Sequence, residues 1–226
     1  MNIYVWNNEW LPGENTLVYY PLTSTTTVND MSGNNRNLTN SWVTFWTYAG
    51  VDCAYFPRSN SKKLYWTLPL SWTQNFTFNV WINRQWKTFY EHGNWQIVDL
   101  WNPWTNYVQF WIGINDDSNK YVAWTRWNDK TASTTNTTNT WNMVTVTHQS
   151  WTVKMYVNWT LIINDTISFN VANTNFTVWS FQSGIDSQTD YFAYYWYMSK
   201  LICESSIWTA QEVSDYYNST KSNYWL

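Results

Sequence analysis

The chain has 226 residues, a formal net charge of −3 and only 12% charged residues. That is one domain of ordinary size, able to bury roughly 70% of its unfolded surface without staples. The sparse, slightly acidic charge excludes a nucleic-acid surface, no run of about 18 apolar residues exists for a membrane helix, and two cysteines, Cys53 and Cys203, exclude a cysteine-only zinc site.

The composition is unusual in one respect. There are 21 Trp but 6 Gly, with 29 Asn and 30 Thr. An average chain of this length holds roughly 16 Gly. Thr, Tyr, Trp, Phe and Val favour strands, and Asn favours turns. An all-β class follows.

In chain order, residues 1–14 read as an arm and linker, with a short strand-turn segment and then Pro12-Gly13. The start, MNIYVWNNEW, lacks a basic and then apolar run, so no export signal is expected. Residues 15–226 read as one β domain. Its first strand, NTLVYYPL (15–22), ends at Pro21 and leads into a turn-rich stretch with Asp30-Met31-Ser32-Gly33-Asn34. Strands follow at VDCAYF (51–56), KKLYWTL (62–68), NFTFNVWIN (75–83), WQIVDL (95–100), NYVQFWIGI (106–114) and KYVAWTRW (120–127). A Thr/Asn loop is expected over 131–140. Then come WNMVTVTHQ (141–149), a hairpin in TVKMYVNWTLII (152–163), FTVWSFQ (176–182) and YFAYYWYMSKLICES (191–205). In the strand over 75–83 Phe76, Phe78, Val80 and Ile82 share one face, and Thr77, Asn79 and Trp81 the other. About ten such runs predict a two-sheet antiparallel sandwich. Both cysteines fall in strands and are expected as buried free thiols.

One helix is predicted over 210–218. Thr209 and Glu212 form an S/T-x-x-E capping box, and Trp208 is placed to pack on Val213 as a hydrophobic staple.

The order of these motifs (LVYYPL, D-x-S-G-N, AYF, FTFNVWIN, WNMVTVT, VKMYVNWTLI, YMSKLICESSIWTAQEVSDYY) resembles laminin-G-like jelly rolls of the concanavalin A-like lectin/glucanase superfamily over residues 15–220. The resemblance implies a jelly-roll sandwich that binds glycans or surface proteins, in some members with calcium at one rim. It also implies service as a building block of virion or cell-surface appendages, with the arm available for oligomer or virion assembly.

The chain departs from that pattern where glycine is expected. The hairpin reads Tyr156-Val157-Asn158-Trp159-Thr160. A type I′ turn needs φ > 0 at both central residues, which suits Asn-Gly and strains a large side chain. Trp42, Trp46, Trp72, Trp151 and Trp196 also stand where turns or glycines are expected, whereas Trp81, Trp141 and Trp208 occupy apolar positions. Two explanations stand. One is a source, bacterial or phage, that reads UGA as glycine while the translation reads tryptophan. The other is a set of genuine aromatic loops.

Chemistry is sparse. His92 and His148 lack metalloprotease spacing, and no nucleophile elbow, phosphate loop or strand with closely paired carboxylates occurs, so an enzyme is not expected. The cation candidates are Asp30, Asn34, Asp116 and Asp117, whose loop oxygens suit calcium; Asx-turns account for the same residues. Trp95, Trp101, Trp104, Trp124 and Trp127, with Asn106 for hydrogen bonds, are the candidate sugar-binding face; core packing or displaced glycines are the alternative. A carbohydrate-binding or adhesion module on a phage tail or cell surface is the leading expectation. A structural virion decoration protein and a divergent glycoside hydrolase stand behind it.

Overall fold

The computed structural model describes residues 5–6, 9–10, 12–56, 63–66, 70–71, 75–85, 94–101, 109–115, 118–125, 128–167, 172–178 and 196–226. In the arm, β1 (Val5–Trp6) pairs with β2 (Glu9–Trp10). The domain continues with β3 (Thr16–Tyr20), β4 (Thr39–Ser41), β5 (Thr44–Tyr48), β6 (Val51–Phe56), β7 (Lys63–Tyr65) and β8 (Leu70–Ser71). β9 (Phe76–Arg84), β10 (Asn94–Trp101), β11 (Gln109–Asn115), β12 (Lys120–Thr125) and β13 (Asn128–Thr135) follow. Then come β14 (Trp141–Gln149), β15 (Thr152–Val157), β16 (Thr160–Thr166), β17 (Ala172–Val178), β18 (Trp196–Glu204), helix α1 (Ala210–Thr220) and a 3₁₀ turn at Lys221–Tyr224.

Two antiparallel sheets face each other. The first runs β13-β12-β11-β10-β17-β7-β4, with β8 also on β17; the second runs β16-β15-β14-β9-β18-β6-β5, with β3 also on β18. The sandwich predicted from strand periodicity is the observed architecture.

The core between the sheets takes alternate residues from each strand. Phe76, Phe78, Val80 and Ile82 of β9 meet Leu100, Phe110, Ile112 and Phe176 there. Phe78 and Phe176 stack at 5.7 Å. The other face of β9 is also buried. Trp81 and Trp141 join Met143, Tyr156, Trp208, Val213, Tyr216 and Tyr224 in a second core under α1. The helix therefore makes a third layer on the second sheet. Its capping box forms as the sequence predicts, with Thr209 N–H donating to Glu212 Oε2 at 2.7 Å and Glu212 N–H donating to Thr209 Oγ1 at 3.2 Å. Trp208, Val213 and Tyr216 then present one buried stripe. Both cysteines are free and buried. His148 is fully buried against Phe76.

Three sequence expectations change. Residues 131–140 do not form one loop, because β13 runs to Thr135 as an edge strand. An edge strand with polar, exposed side chains shows no apolar alternation. Trp196 lies fully buried in β18, in the core between the sheets, not in a turn. Trp46 lies within β5, not at a turn. Trp72 lies outside the described residues.

The remaining anomalous tryptophans do occupy glycine-like backbone. Three two-residue hairpin loops lie in the second sheet: Ala49-Gly50, Ser150-Trp151 and Asn158-Trp159. All six residues have positive φ, and the second positions read 73° at Gly50, 74° at Trp151 and 69° at Trp159. This is the φ signature of a type I′ turn, and glycine fills it without strain. Trp42 also has φ 60° and is 77% exposed. Trp225, at φ 61°, differs because its indole N–H donates to Ala49 O at 2.6 Å and its ring lies against Gly50.

The left-handed backbone carries a cost for a large L-residue, only partly offset by the unfolded-chain entropy of glycine. Trp151→Gly and Trp159→Gly should therefore each stabilise the domain by about 1 kcal/mol in urea unfolding, while Trp81→Ala should cost about 3–5 kcal/mol. Destabilisation by the two hairpin changes would contradict the glycine-like reading of those loops.

Burial also sets an alkaline limit. It raises the phenols of Tyr20, Tyr121, Tyr156, Tyr216 and Tyr224, and pushes Tyr197 up to about 12. The Cys53 thiol is likewise pushed up to about 12. Groups whose native pKa is raised stabilise the fold while the unfolded chain keeps them protonated, and that stability is lost as pH rises past their ordinary values, about 8.5 for thiols and 10 for phenols. The urea midpoint should fall steeply above about pH 10, with tyrosinate absorbance appearing in the unfolding transition itself. Ionisation of these phenols in the folded protein, well before unfolding, would be the contrary result.

Candidate functional site

The register of the first sheet decides which sequence-predicted residues meet. Val98 and Leu100 of β10 enter the core, so Asp99 between them faces outward. Asp99 pairs with Trp111 on β11 and with Thr177 on β17. Trp111 pairs with Trp124 on β12, and Trp124 with Asp129 on β13. Thr177 pairs with Tyr65, and Tyr65 with Thr39. One row thus crosses seven strands on the face away from the core, a width of about 29 Å at the usual strand spacing.

Within this row Tyr65 and Trp124 are half-buried and Asp129 is exposed, while Asp99 and Thr177 are buried. The neighbouring Gln96 is buried too, and its Oε1 has no hydrogen-bond partner among the described residues. Lys63, two residues from Tyr65 on β7, places its ammonium 5.2 Å from the Tyr65 ring centre, and burial lowers its pKa. The row therefore offers an indole directly across from an exposed carboxylate, with a phenol further along. Sugars are recognised by such pairs: the ring's C–H face lies on the aromatic, and hydroxyls bond the polar neighbour.

Of the residues chosen from sequence, Trp124 and Trp101 belong to this outward face by register, Trp101 opposite Gln109. Trp95 pairs with Ile114, a core residue, so its position belongs to the opposite face. A bulge between Gln96 and Val98 makes the difference. Trp104, Asn106, Trp127, Asp116 and Asp117 lie outside the described residues. Sequence reading passed over Asp99, Trp111, Tyr65 and Asp129. A carboxylate alternating with Val98 and Leu100 was the available signal for Asp99.

Asp30 and Asn34 sit together in the loop after β3. Asp30 Oδ1 accepts from Tyr19 N–H at 3.0 Å and Ser32 N–H at 2.9 Å, and Oδ2 accepts from Arg36 N–H at 3.0 Å. Asn34 Nδ2 donates to Thr16 O at 2.9 Å and Leu17 O at 3.1 Å. These bonds clamp the loop onto β3, which is the work of an Asx-turn. Among the described residues no group of three or more His, Cys, Asp or Glu is placed to hold a metal ion.

The described carboxylates of the row are also far apart. Asp99 and Asp129 are three strands from each other, about 14 Å, against roughly 5–9.5 Å between the paired carboxyls of glycosidases.

No protein-family model matches the chain, and no curated protein matches it. Solved structures do share its fold. The binding domain of Paraclostridial Mosquitocidal Protein 1 superposes with a TM-score of 0.71 at 16% identity, covering 91% of this chain and 52% of that one. Domain 4 of AbnA, a GH43 extracellular arabinanase from Geobacillus stearothermophilus solved with arabinotriose, gives 0.64 at 14% identity, covering 89% and 98%. The botulinum neurotoxin serotype D ligand-binding domain solved with N-acetylneuraminic acid gives 0.66 at 16% identity, covering 90% and 50%. The chain therefore spans about half of the toxin binding domains and nearly all of the arabinanase domain. At these identities the likeness concerns the β-sandwich fold.

Proposed function

We propose that the protein is a non-catalytic carbohydrate-binding module whose binding face is the outer surface of the first sheet. The observation that carries this reading is Trp124 standing half-open directly across from exposed Asp129, within a row of aromatic and polar residues. The separation of the described carboxylates supports binding without hydrolysis. The arabinotriose and N-acetylneuraminic acid held by two proteins of the same fold support a sugar ligand.

The setting we infer is a phage tail or cell-surface appendage, where the arm joins the module to its assembly. Its support is the resemblance to laminin-G-like domains, and calcium belongs to the same reading as a rim ligand. We further infer that the seats of Trp42, Trp151 and Trp159 hold glycine in the protein as its source makes it, through UGA codons. The positive φ at all three supports this.

A glycan array probed with and without calcium tests the function. Binding is expected, and Trp124→Ala and Asp129→Asn should each weaken it by about tenfold, the loss of one stacked ring or one charged hydrogen bond. Binding unaffected by both changes would place the ligand elsewhere; no binding to any glycan would refute the module. The intact mass of the protein from its native source tests the recoding. A mass lower by at least three indole-sized increments is expected, and a mass with all 21 tryptophans would end that idea.

A further inference from the structure

The second sheet has an aromatic surface of its own, where α1 does not cover it. Trp46 on edge strand β5 is 46% exposed. Its ring centre lies 5.1 Å from Tyr55 and 6.1 Å from Tyr197, and Tyr197 stacks on Tyr48 at 3.9 Å and 10°. An open indole thus lies against two phenols, Tyr55 and Tyr197, the second of them stacked on Tyr48. The rings belong to three adjacent strands, β5, β6 and β18. They need no rearrangement to receive a flat ligand.

Beside Tyr48 the surface drops into a cleft of about 440 Å³. Asn83, Asn139 and Thr140 line it together with Trp141, Tyr224, Trp225 and Leu226. Tyr48 Oη donates to Gln85 Oε1 at 3.2 Å, and Gln85 Nε2 donates to Asn83 Oδ1 at 2.7 Å, so platform and cleft share one hydrogen-bond chain. Trp141 is 3% exposed, and its indole N–H has no hydrogen-bond partner among the described residues. None of the described side chains lining the cleft carries a formal charge.

We infer that this platform and cleft form a second glycan-binding site, for a neutral pyranose oligosaccharide: one sugar on Trp46 and the next in the amide-lined cleft. The inference rests on the carbohydrate-binding reading above but concerns a different sheet and different residues. The exposed ring suits the C–H face of a pyranose. Hydroxyls, each donor and acceptor, suit the two amides and the threonine hydroxyl that line the cleft. No cationic side chain lines the cleft among the described residues, so nothing there pairs with an acidic sugar. An apolar peptide would fill the platform yet leave the cleft amides without ligand partners.

Isothermal titration of the full chain with cellotetraose, xylotetraose and maltotetraose tests this, with lactose and 3′-sialyllactose as a charge pair. Two classes of site are expected with at least one neutral tetrasaccharide. Trp46→Ala and Thr140→Val should each weaken one class by about tenfold. Trp124→Ala should weaken only the other. Sialyllactose should bind the second site no better than lactose. Near-ultraviolet circular dichroism checks that the variants are folded, and Thr140→Val is a near-isosteric change that stands if Trp46→Ala does not fold. A single class lost with Trp124→Ala and indifferent to Trp46→Ala and Thr140→Val would overturn this site while leaving the first intact. A clear preference for sialyllactose sensitive to Trp46→Ala would overturn its neutral specificity. No binding of any sugar would overturn both sites.

Discussion

The structure depends on a strand that is buried on both sides. β9 runs through the middle of the second sheet, and all nine of its residues are buried. One face supplies Phe76, Phe78, Val80 and Ile82 to the core between the sheets. The other supplies Trp81, which stacks on Tyr224 at 3.9 Å and lies 5.8 Å from Tyr217. Thr77 and Asn79 on that face also bond inward. Thr77 Oγ1 donates to Ser206 O and accepts from Trp208 N–H, and Asn79 Nδ2 donates to Thr145 Oγ1. Such pairing offsets the cost of burying polar groups. The sheet thus requires its helix, and Thr77 anchors the segment that leads into it. Glu204 completes the anchor by accepting from Trp208 Nε1 at 2.6 Å and Ser206 Oγ at 2.7 Å.

That constraint decides where ligands can go. The helix occupies the middle of the second sheet's outer surface, leaving the β5–β6 end with its tyrosines and Trp46. The first sheet keeps a polar and aromatic row on its outward face. Two sheets serving one core therefore leave two surfaces of similar chemistry: aromatic rings beside uncharged or acidic hydrogen-bonding groups. Carbohydrate recognition needs little more than this, and it needs no paired carboxylates.

Much of the fold was legible because period two is a local signal. VDCAYF and WNMVTVTHQ match β6 and β14 residue for residue, and the capping box fixed the start of α1. β13 was missed because an edge strand needs no apolar face. Trp196 was misread because the signal consulted was an expected glycine, whereas its place in the sandwich core is a tertiary fact. The hairpin tryptophans were legible from turn chemistry alone, and Gly50, in the same kind of loop as Trp151 and Trp159, gives the comparison within one sheet. The candidate site was only partly legible. A bulge at Gln96 separates Trp95 from Trp101, and the pairing of Trp124 with Asp129 joins strands whose register a sequence does not state.

A crystal structure of the domain grown with a neutral tetrasaccharide that it binds addresses the carbohydrate-binding claim most directly. Sugar rings are expected over Trp124, with hydroxyls bonded to Asp129 on the outward face of the first sheet. A bound sugar found only at the hairpin tips of Trp151 and Trp159, with that face bare, would contradict it.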